Sequence, residues 1–292
     1  MKEEDAVVAR RRYSVNGWDV AGVPGLAFLM LVFVAPLVAV VWSSFADPSP
    51  RNYSQIFQDP VALRALKNTV EAAAVVTAAC ILIGYPIAYW MVHLGKFWRF
   101  TLMLATLLPL CSSLLVRGYV ITIILATHGP INNGLIAIHL ISQPLPLIYN
   151  RFAVYFALTN ILVPFMILPI YAQLRQMDPN LALAARGLGA TPATVFRRIT
   201  IPLSLNGVAA GGVLVFVLTL GFYVVPALVG GPSGLMVSQL IVQDIQQFLQ
   251  NGLGSALSVV LILLTFVVLA VTSRFVRIQD LLGLGSTEKP PK

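Results

Sequence analysis

Charged residues divide this chain into long uncharged segments: 20–46, 72–95, 100–116 continuing past Arg117 to 150, 152–174, 199–243 and 245–273. A bilayer core is crossed by about 20 apolar helical residues, so each segment is long enough for at least one crossing. Within 118–150 lie His128, Gly129, Pro130, Asn132, Asn133 and Gly134, a turn-forming cluster that belongs outside the hydrocarbon, and Gly230-Gly231-Pro232 stands near the end of 199–243. The pattern predicts an all-α polytopic membrane protein with six transmembrane helices, near 22–44, 68–93, 100–126, 152–173, 203–229 and 253–273. The expected organisation is an N-terminal tail (1–18), a six-helix domain (19–275) with one long loop at 174–203, and a C-terminal tail (276–292).

Composition supports this reading. Of 292 residues, 58% are hydrophobic and 10% charged, with mean hydropathy +0.85, far from the roughly 25% charged residues of a soluble domain. The apolar content exceeds what one or two soluble cores could hide, so lipid must face much of it. Nineteen Lys and Arg against eleven Asp and Glu leave a net charge of +8, which would suggest nucleic acid if it were clustered. It is distributed by side of the membrane instead. With six crossings, fourteen basic residues fall with the two termini and the even loops: Lys2, Arg10, Arg11, Arg12, Lys96, Arg99, Arg175, Arg186, Arg197, Arg198, Arg274, Arg277, Lys289 and Lys292. Four fall on the other side: Arg51, Arg64, Lys67 and Arg151. That asymmetry places both termini and the even loops in the cytoplasm, with lipid and not nucleic acid as the surrounding partner. Arg10-Arg11-Arg12 before an apolar run could open a cleavable signal peptide, but the run exceeds the roughly 7–15 residues of a signal core, so an uncleaved anchor helix is expected.

Covalent chemistry has no visible seat. Cys80 and Cys111 fall inside predicted spans, and His93, His128 and His139 are scattered without metal-ligand spacing. There is no phosphate-binding Gly-rich loop, no Ser/His/Asp grouping and no HExxH. The chain is expected to be no enzyme and to hold no cofactor or metal of its own.

The loop 174–203 carries helix punctuation instead. Asp178-Pro179 offers an N-cap and an N1 proline, 181–188 is mostly helix formers, and Gly189 can stop the helix in the left-handed conformation. Thr191-Pro192 repeats the start signal, and Pro202 is expected to end the second short helix where the fifth span begins. The result is an elbow of two short helices at the inner membrane face. Leu181, Leu188, Phe196 and Ile199 would form its apolar face and Arg186, Arg197 and Arg198 a basic rim. That surface suits docking into a protein groove, or an amphipathic hairpin lying on lipid phosphates. A helix-turn-helix pinned to a bilayer at both ends could hardly enter a DNA groove.

The run Leu183-Ala184-Ala185, Gly189, Ile199, Pro202 resembles the EAA loop (E-A-A-x3-G-x9-I-x-L-P) of permease subunits of binding-protein-dependent ABC importers, with Leu183 in place of Glu and Ile201 in place of Leu. Further segments are similar to the spermidine/putrescine type: Asn68-Thr69, Gly84-Tyr85-Pro86-Ile87-Ala88-Tyr89, Leu114-Leu115-Val116-Arg117-Gly118-Tyr119, 129–135, 162–171 and 222–231. The resemblance implies a type I ABC importer permease fold. It implies that Leu183, Ala184, Ala185, Arg186, Gly189, Ile199 and Pro202 couple to a cytoplasmic ATPase. It further implies two ATPase copies using ATP and Mg, a second homologous permease and a periplasmic solute-binding protein. Transport would proceed by alternating access, with a polyamine such as spermidine or putrescine as the solute, or another small organic solute.

For the pathway itself the residues suggest candidates. Pro86, Pro109, Pro164, Pro169 and Pro226 interrupt spans, and Gly84, Gly118 and Gly221 permit close helix approach. Arg117, deep in the third predicted span, faces the pathway or subunit interface, or else pairs with carbonyls or snorkels. Glu71, in the first turn of the second predicted span with Lys67 four residues before it, is the weaker case. Asp244 lies in a Gln-rich external or re-entrant helix at 240–248, as solvated surface or as a contact to the binding protein or substrate. Tyr119, Phe222 and Tyr223 could offer rings to a cation, yet Glu71 and Asp244 are the only acids near the predicted pathway. A secondary transporter would need coupling residues and inverted repeats, which are not evident.

Overall fold

Proline and glycine decide where the apolar segments become separate helices. The computed structural model describes residues 17–46 and 51–275, and its regular structure is helical throughout. The tails 1–18 and 276–292, and with them Arg10-Arg11-Arg12, lie outside the described residues except for residues 17 and 18. In chain order the helices are α1 (Gly17–Ala46), α2 (Asn52–Gln58), α3 (Pro60–His93), α4 (Lys96–Leu107), α5 (Leu114–Leu125), α6 (Pro130–Ala137), α7 (Arg151–Gln176), α8 (Pro179–Gly187), α9 (Pro192–Val195), α10 (Ile201–Gly221), α11 (Val224–Val229), α12 (Val237–Gln246) and α13 (Asn251–Phe275).

Among the described residues six stretches are long and apolar enough to cross a membrane: Ala27–Ala46, Pro60–His93, Leu114–Ala137, Arg151–Gln176, Pro192–Gly221 and Asn251–Thr272. Three differ from the predicted spans. The second begins at Pro60 rather than 68, because Asp59 caps it, its Oδ1 accepting from Val61 N at 2.8 Å, and Pro60 fits the first turn. Its 34 residues make a rod of about 51 Å, longer than the roughly 30 Å hydrocarbon core, so Arg64 and Lys67 ride on turns that project beyond it. The third is broken. Pro109 removes a backbone donor, a 3-10 turn at Leu108–Cys111 follows α4, and the chain restarts at Leu114 after Ser113. It breaks again at 126–129 before α6, where the fully buried Asn132 donates to the carbonyls of Ala126 (3.3 Å) and Leu145 (3.0 Å) and accepts from Leu145 N at 2.9 Å. The fifth ends at Gly221, not 229: Phe222 and Tyr223 interrupt it, and α11 runs separately.

Pro202 does not end a helix. The stretch Pro192–Gly221 is continuous, because Phe196–Thr200 widens into a π turn in which Ile201 N–H bonds the Phe196 carbonyl. The wider turn makes room for a ring that would otherwise clash with the carbonyl four residues back.

The core is the packing of α3, α7 and α10, with α7 at its centre. Small residues let the axes close up. A Cβ at Gly84 would lie 3.1 Å from Met166 Cγ, one at Gly211 would lie 2.8 Å from Met166 Sδ, and one at Gly207 would lie 2.9 Å from the Pro169 carbonyl. Gly207 and Gly211 form the G-x-x-x-G stripe suited to close helix contact in lipid. Gly118 packs against α11, where a Cβ would sit 2.8 Å from Leu228 Cδ1, but Gly221 has open space around it and brings nothing close. Pro86, Pro164 and Pro169 sit inside unbroken helices and Pro226 inside α11, so of the five prolines expected to interrupt spans Pro109 alone falls at a break. Around the core, α1 leans on α13, and from residue 27 onward most of its side chains are exposed, as on a lipid-facing helix.

Candidate functional site

The loop between α7 and α10 is an elbow built as its punctuation predicts. Asp178 Oδ1 accepts from Asn180 N at 2.9 Å and Thr191 Oγ1 accepts from Thr194 N at 3.3 Å. Gly189 has φ +84°; its N–H bonds the Arg186 carbonyl at 2.9 Å while Ala190 N–H reaches back to Ala185 at 3.0 Å. This pair of bonds is the Schellman stop, which satisfies the orphan carbonyls and fixes the bend. The elbow is therefore rigid at its tip. Leu188, at that tip, is 90% exposed and Leu183 is 62% exposed, and no residue of α8 is buried.

The second arm is anchored. Val195 is buried, and the Phe196 ring meets Tyr85 (6.1 Å, 75°) and Tyr89 (5.1 Å, 78°) of α3 edge to face. Phe196 thus leaves the docking face on which the sequence pattern placed it and ties the elbow to α3. Ser204 and Tyr85 hydroxyls lie 3.0 Å apart, and Gln173 Nε2 donates to the Leu203 carbonyl at 3.3 Å, adding ties to α3 and α7. Between α8 and the ends of α3 and α7 lies a cavity of about 420 Å³ bordered by His93, Leu174, Met177, Leu183, Arg186 and Ile199. Ile199 is half-buried at this cavity under the elbow, whereas Leu181, Leu183 and Arg186 on its rim are exposed. Leu181, Leu183 and Leu188 remain as the apolar surface, with the exposed Arg186, Arg197 and Arg198 beside it.

A membrane bundle carrying such an elbow matches a known model. Residues 80–281 match the family described as the binding-protein-dependent transport system inner membrane component. The chain belongs to this family. It is 32% identical over 229 residues, 78% of this chain and 83% of the relative, to the spermidine/putrescine transport system permease protein PotB of Escherichia coli (strain K12). The protein of that name from Haemophilus influenzae is 33% identical over 71% of this chain and 72% of its own. In fold the chain is similar to a bacterial alginate ABC transporter solved with a pentasaccharide-bound periplasmic protein (TM-score 0.73, 18% identity, 90% of this chain and 95% of that one). The molecule is thus the membrane-embedded permease subunit of an ABC importer, and ATP hydrolysis belongs to a separate subunit.

The pathway candidates of the permease do not converge. Among the described residues no hydrogen bond, ion pair or ring contact joins Glu71, Arg117, Tyr119, Phe222, Tyr223 and Asp244 to one another. Arg117 sits on the first turn of α5, at the break rather than inside a continuous span. Its Nη2 donates to the Ser112 carbonyl at 3.3 Å, while Nε and Nη1 are buried without a partner. Tyr119 is 62% exposed and follows Gly118, which packs on α11. Phe222 and Tyr223 form the hinge between α10 and α11, held by Ser238 Oγ donating to the Phe222 carbonyl at 2.6 Å.

The two acids are corrected. Glu71 lies three turns into α3, and its partners are on α7 rather than at Lys67: Arg151 Nη1 at 3.4 Å on Oε2 and the Tyr155 hydroxyl at 3.1 Å on Oε1. Asp244 is not solvated surface but 8% exposed on α12. Burial pushes its carboxyl above the ordinary carboxylate value, and the nearby Asp59 charge adds to the rise. Sequence reasoning missed Arg151, Tyr155 and Ser233, whose carbonyl accepts from Arg151 Nε at 3.0 Å; nothing in their spacing from Glu71 signals the contact.

Proposed function

We propose that this permease moves a polyamine, spermidine or putrescine, across a bacterial inner membrane, with both termini and the elbow in the cytoplasm. Two ATPase copies that use ATP and Mg would grip the elbow, a second homologous permease would complete the pathway, and a periplasmic binding protein would deliver the solute. The chain itself would hold no cofactor. The observation that carries the coupling role is the elbow's form: a glycine-fixed tip presenting Leu183 and Leu188 to solvent and an arm locked to α3 by Phe196. A rigid apolar projection transmits displacement, whereas a hairpin meant for lipid would need no such anchor to the bundle. Leu183, Ala184, Ala185, Arg186 and Gly189 are the proposed contact segment. Ile199 and Pro202 act from behind it, one under the elbow and one in the π turn. The solute class is supported by relatives named for spermidine and putrescine across 78% of the chain.

Uptake of labelled putrescine and spermidine into cells, with and without this gene, tests the solute. Loss of both uptakes on deletion is expected; unchanged uptake of both would remove the polyamine assignment while leaving the importer. Crosslinking from Leu188→Cys should capture the ATPase subunit.

A further inference from the structure

Within the six membrane-crossing stretches Glu71 is the single acidic residue. A cationic amine gains most from a carboxylate, which is acceptor-only and matches an ammonium's three donors. In the single subunit the Glu71 side chain is 39% exposed and that of Arg151 41%. Arg151 opens α7 and Glu71 lies one turn past Lys67 on a helix longer than the hydrocarbon core, so the pair stands toward a hydrated end of the bundle, where its charges are not held against lipid.

The surroundings are rich in acceptors. Ser233 and Leu235 turn their carbonyls toward the amide of Asn68, whose Nδ2 donates to them at 3.3 and 3.0 Å. Asn68 is 3% exposed, and its Oδ1 is buried with no partner. Arg151 supplies the local cation: Nη1 lies on Glu71 and Nε on the Ser233 carbonyl. The contact to Glu71, at 3.4 Å, is longer than the roughly 2.7–2.9 Å of a strong charge-assisted bond. Exposed ion pairs of this kind contribute little net stability and exchange readily. Tyr155 holds the other carboxylate oxygen and would keep it oriented while Oε2 changes partner.

The geometry points to Glu71 as a subsite for a primary ammonium, occupied in the empty permease by the Arg151 guanidinium that the arriving amine displaces. The same guanidinium is a fastening of the Ser233 loop. Its displacement leaves that loop held by Asn68 and by the Val237 N–H on Thr69 Oγ1 (2.9 Å). The solute's charge is thereby felt by the segment that joins α11 to α12. This rests on the polyamine reading and adds the residue that meets the charge and the one that competes with it.

The test is initial uptake of labelled putrescine, below saturation, by cells carrying the complete transporter. Membrane content of each variant is measured in parallel. Glu71→Gln should lower uptake at least about tenfold, as loss of a charge-assisted bond implies, and Glu71→Asp should recover part of it. Arg151→Gln should raise uptake above wild type, because the competing cation is gone. Opposite signs support the subsite. If both Gln variants lose uptake together, the pair is only a latch between α3 and α7 and the proposal is overturned; normal uptake by Glu71→Gln overturns it as well. Should the unaltered transporter move neither putrescine nor spermidine, the polyamine reading itself fails, and the ammonium subsite with it.

Discussion

At the scale of single residues, Gly189 and Asp244 have roles that backbone and burial define. Gly189 stands at φ +84° with open space around its Cα, so a larger side chain meets no neighbour but must adopt a left-handed backbone, at about 1–2 kcal/mol and more for a β-branched residue. Gly189→Val is therefore expected to abolish uptake while leaving the chain in the membrane, read by transport and immunoblot of the membrane fraction. Asp244 titrates in the opposite sense to a salt-bridged acid. Its folded-state value is raised, so the folded protein holds the proton more tightly than the unfolded chain does. The carboxylate then opposes folding once pH exceeds the folded value, and this penalty vanishes below the ordinary 3.8. Asp244→Asn should raise the melting temperature in detergent at neutral pH, with the gain shrinking toward pH 4. The special conformation at Gly189 was legible from its position after a run of helix formers. The burial of Asp244 was not, because a Gln-rich amphipathic stretch reads the same whether its polar face meets water or another helix.

Among the elements, the elbow depends on its second arm. Phe196 is wedged between Tyr85 and Tyr89, so Phe196→Ala removes the aromatic fastening; a fully buried Phe→Ala change removes about 3–5 kcal/mol, and this half-buried ring somewhat less. The expected outcome is a complex that still assembles but in which ATP hydrolysis no longer drives uptake at the wild-type ratio, measured in proteoliposomes. The α7–α10 contact is less forgiving. Gly211→Leu would drive a side chain into Met166, whose Sδ lies 2.8 Å from the nearest Cβ position, and reduced folded protein in size-exclusion profiles is expected. Helix starts at Asp178 and Thr191 were readable because capping is local. The continuous helix through Pro202 was not, since a π turn leaves no sequence signature distinct from a helix end.

For the whole molecule, the sequence alone determined the class: six apolar stretches, an all-α membrane architecture, the elbow and the resemblance to importer permeases. These follow from segment length, local caps and motif spacing, all of which act over a few residues or a few turns. Only the tertiary structure decided which faces are used. It turned Phe196 inward, buried Asp244, broke the third and fifth spans, selected Gly207 and Gly211 as the close-contact stripe and brought Arg151 to Glu71 across 80 residues of chain. In lipid, unlike in water, hydrophobicity does not distinguish a helix face that meets another helix from one that meets acyl chains. Shape complementarity and polar pairing make that choice, and both exist only once the helices are side by side.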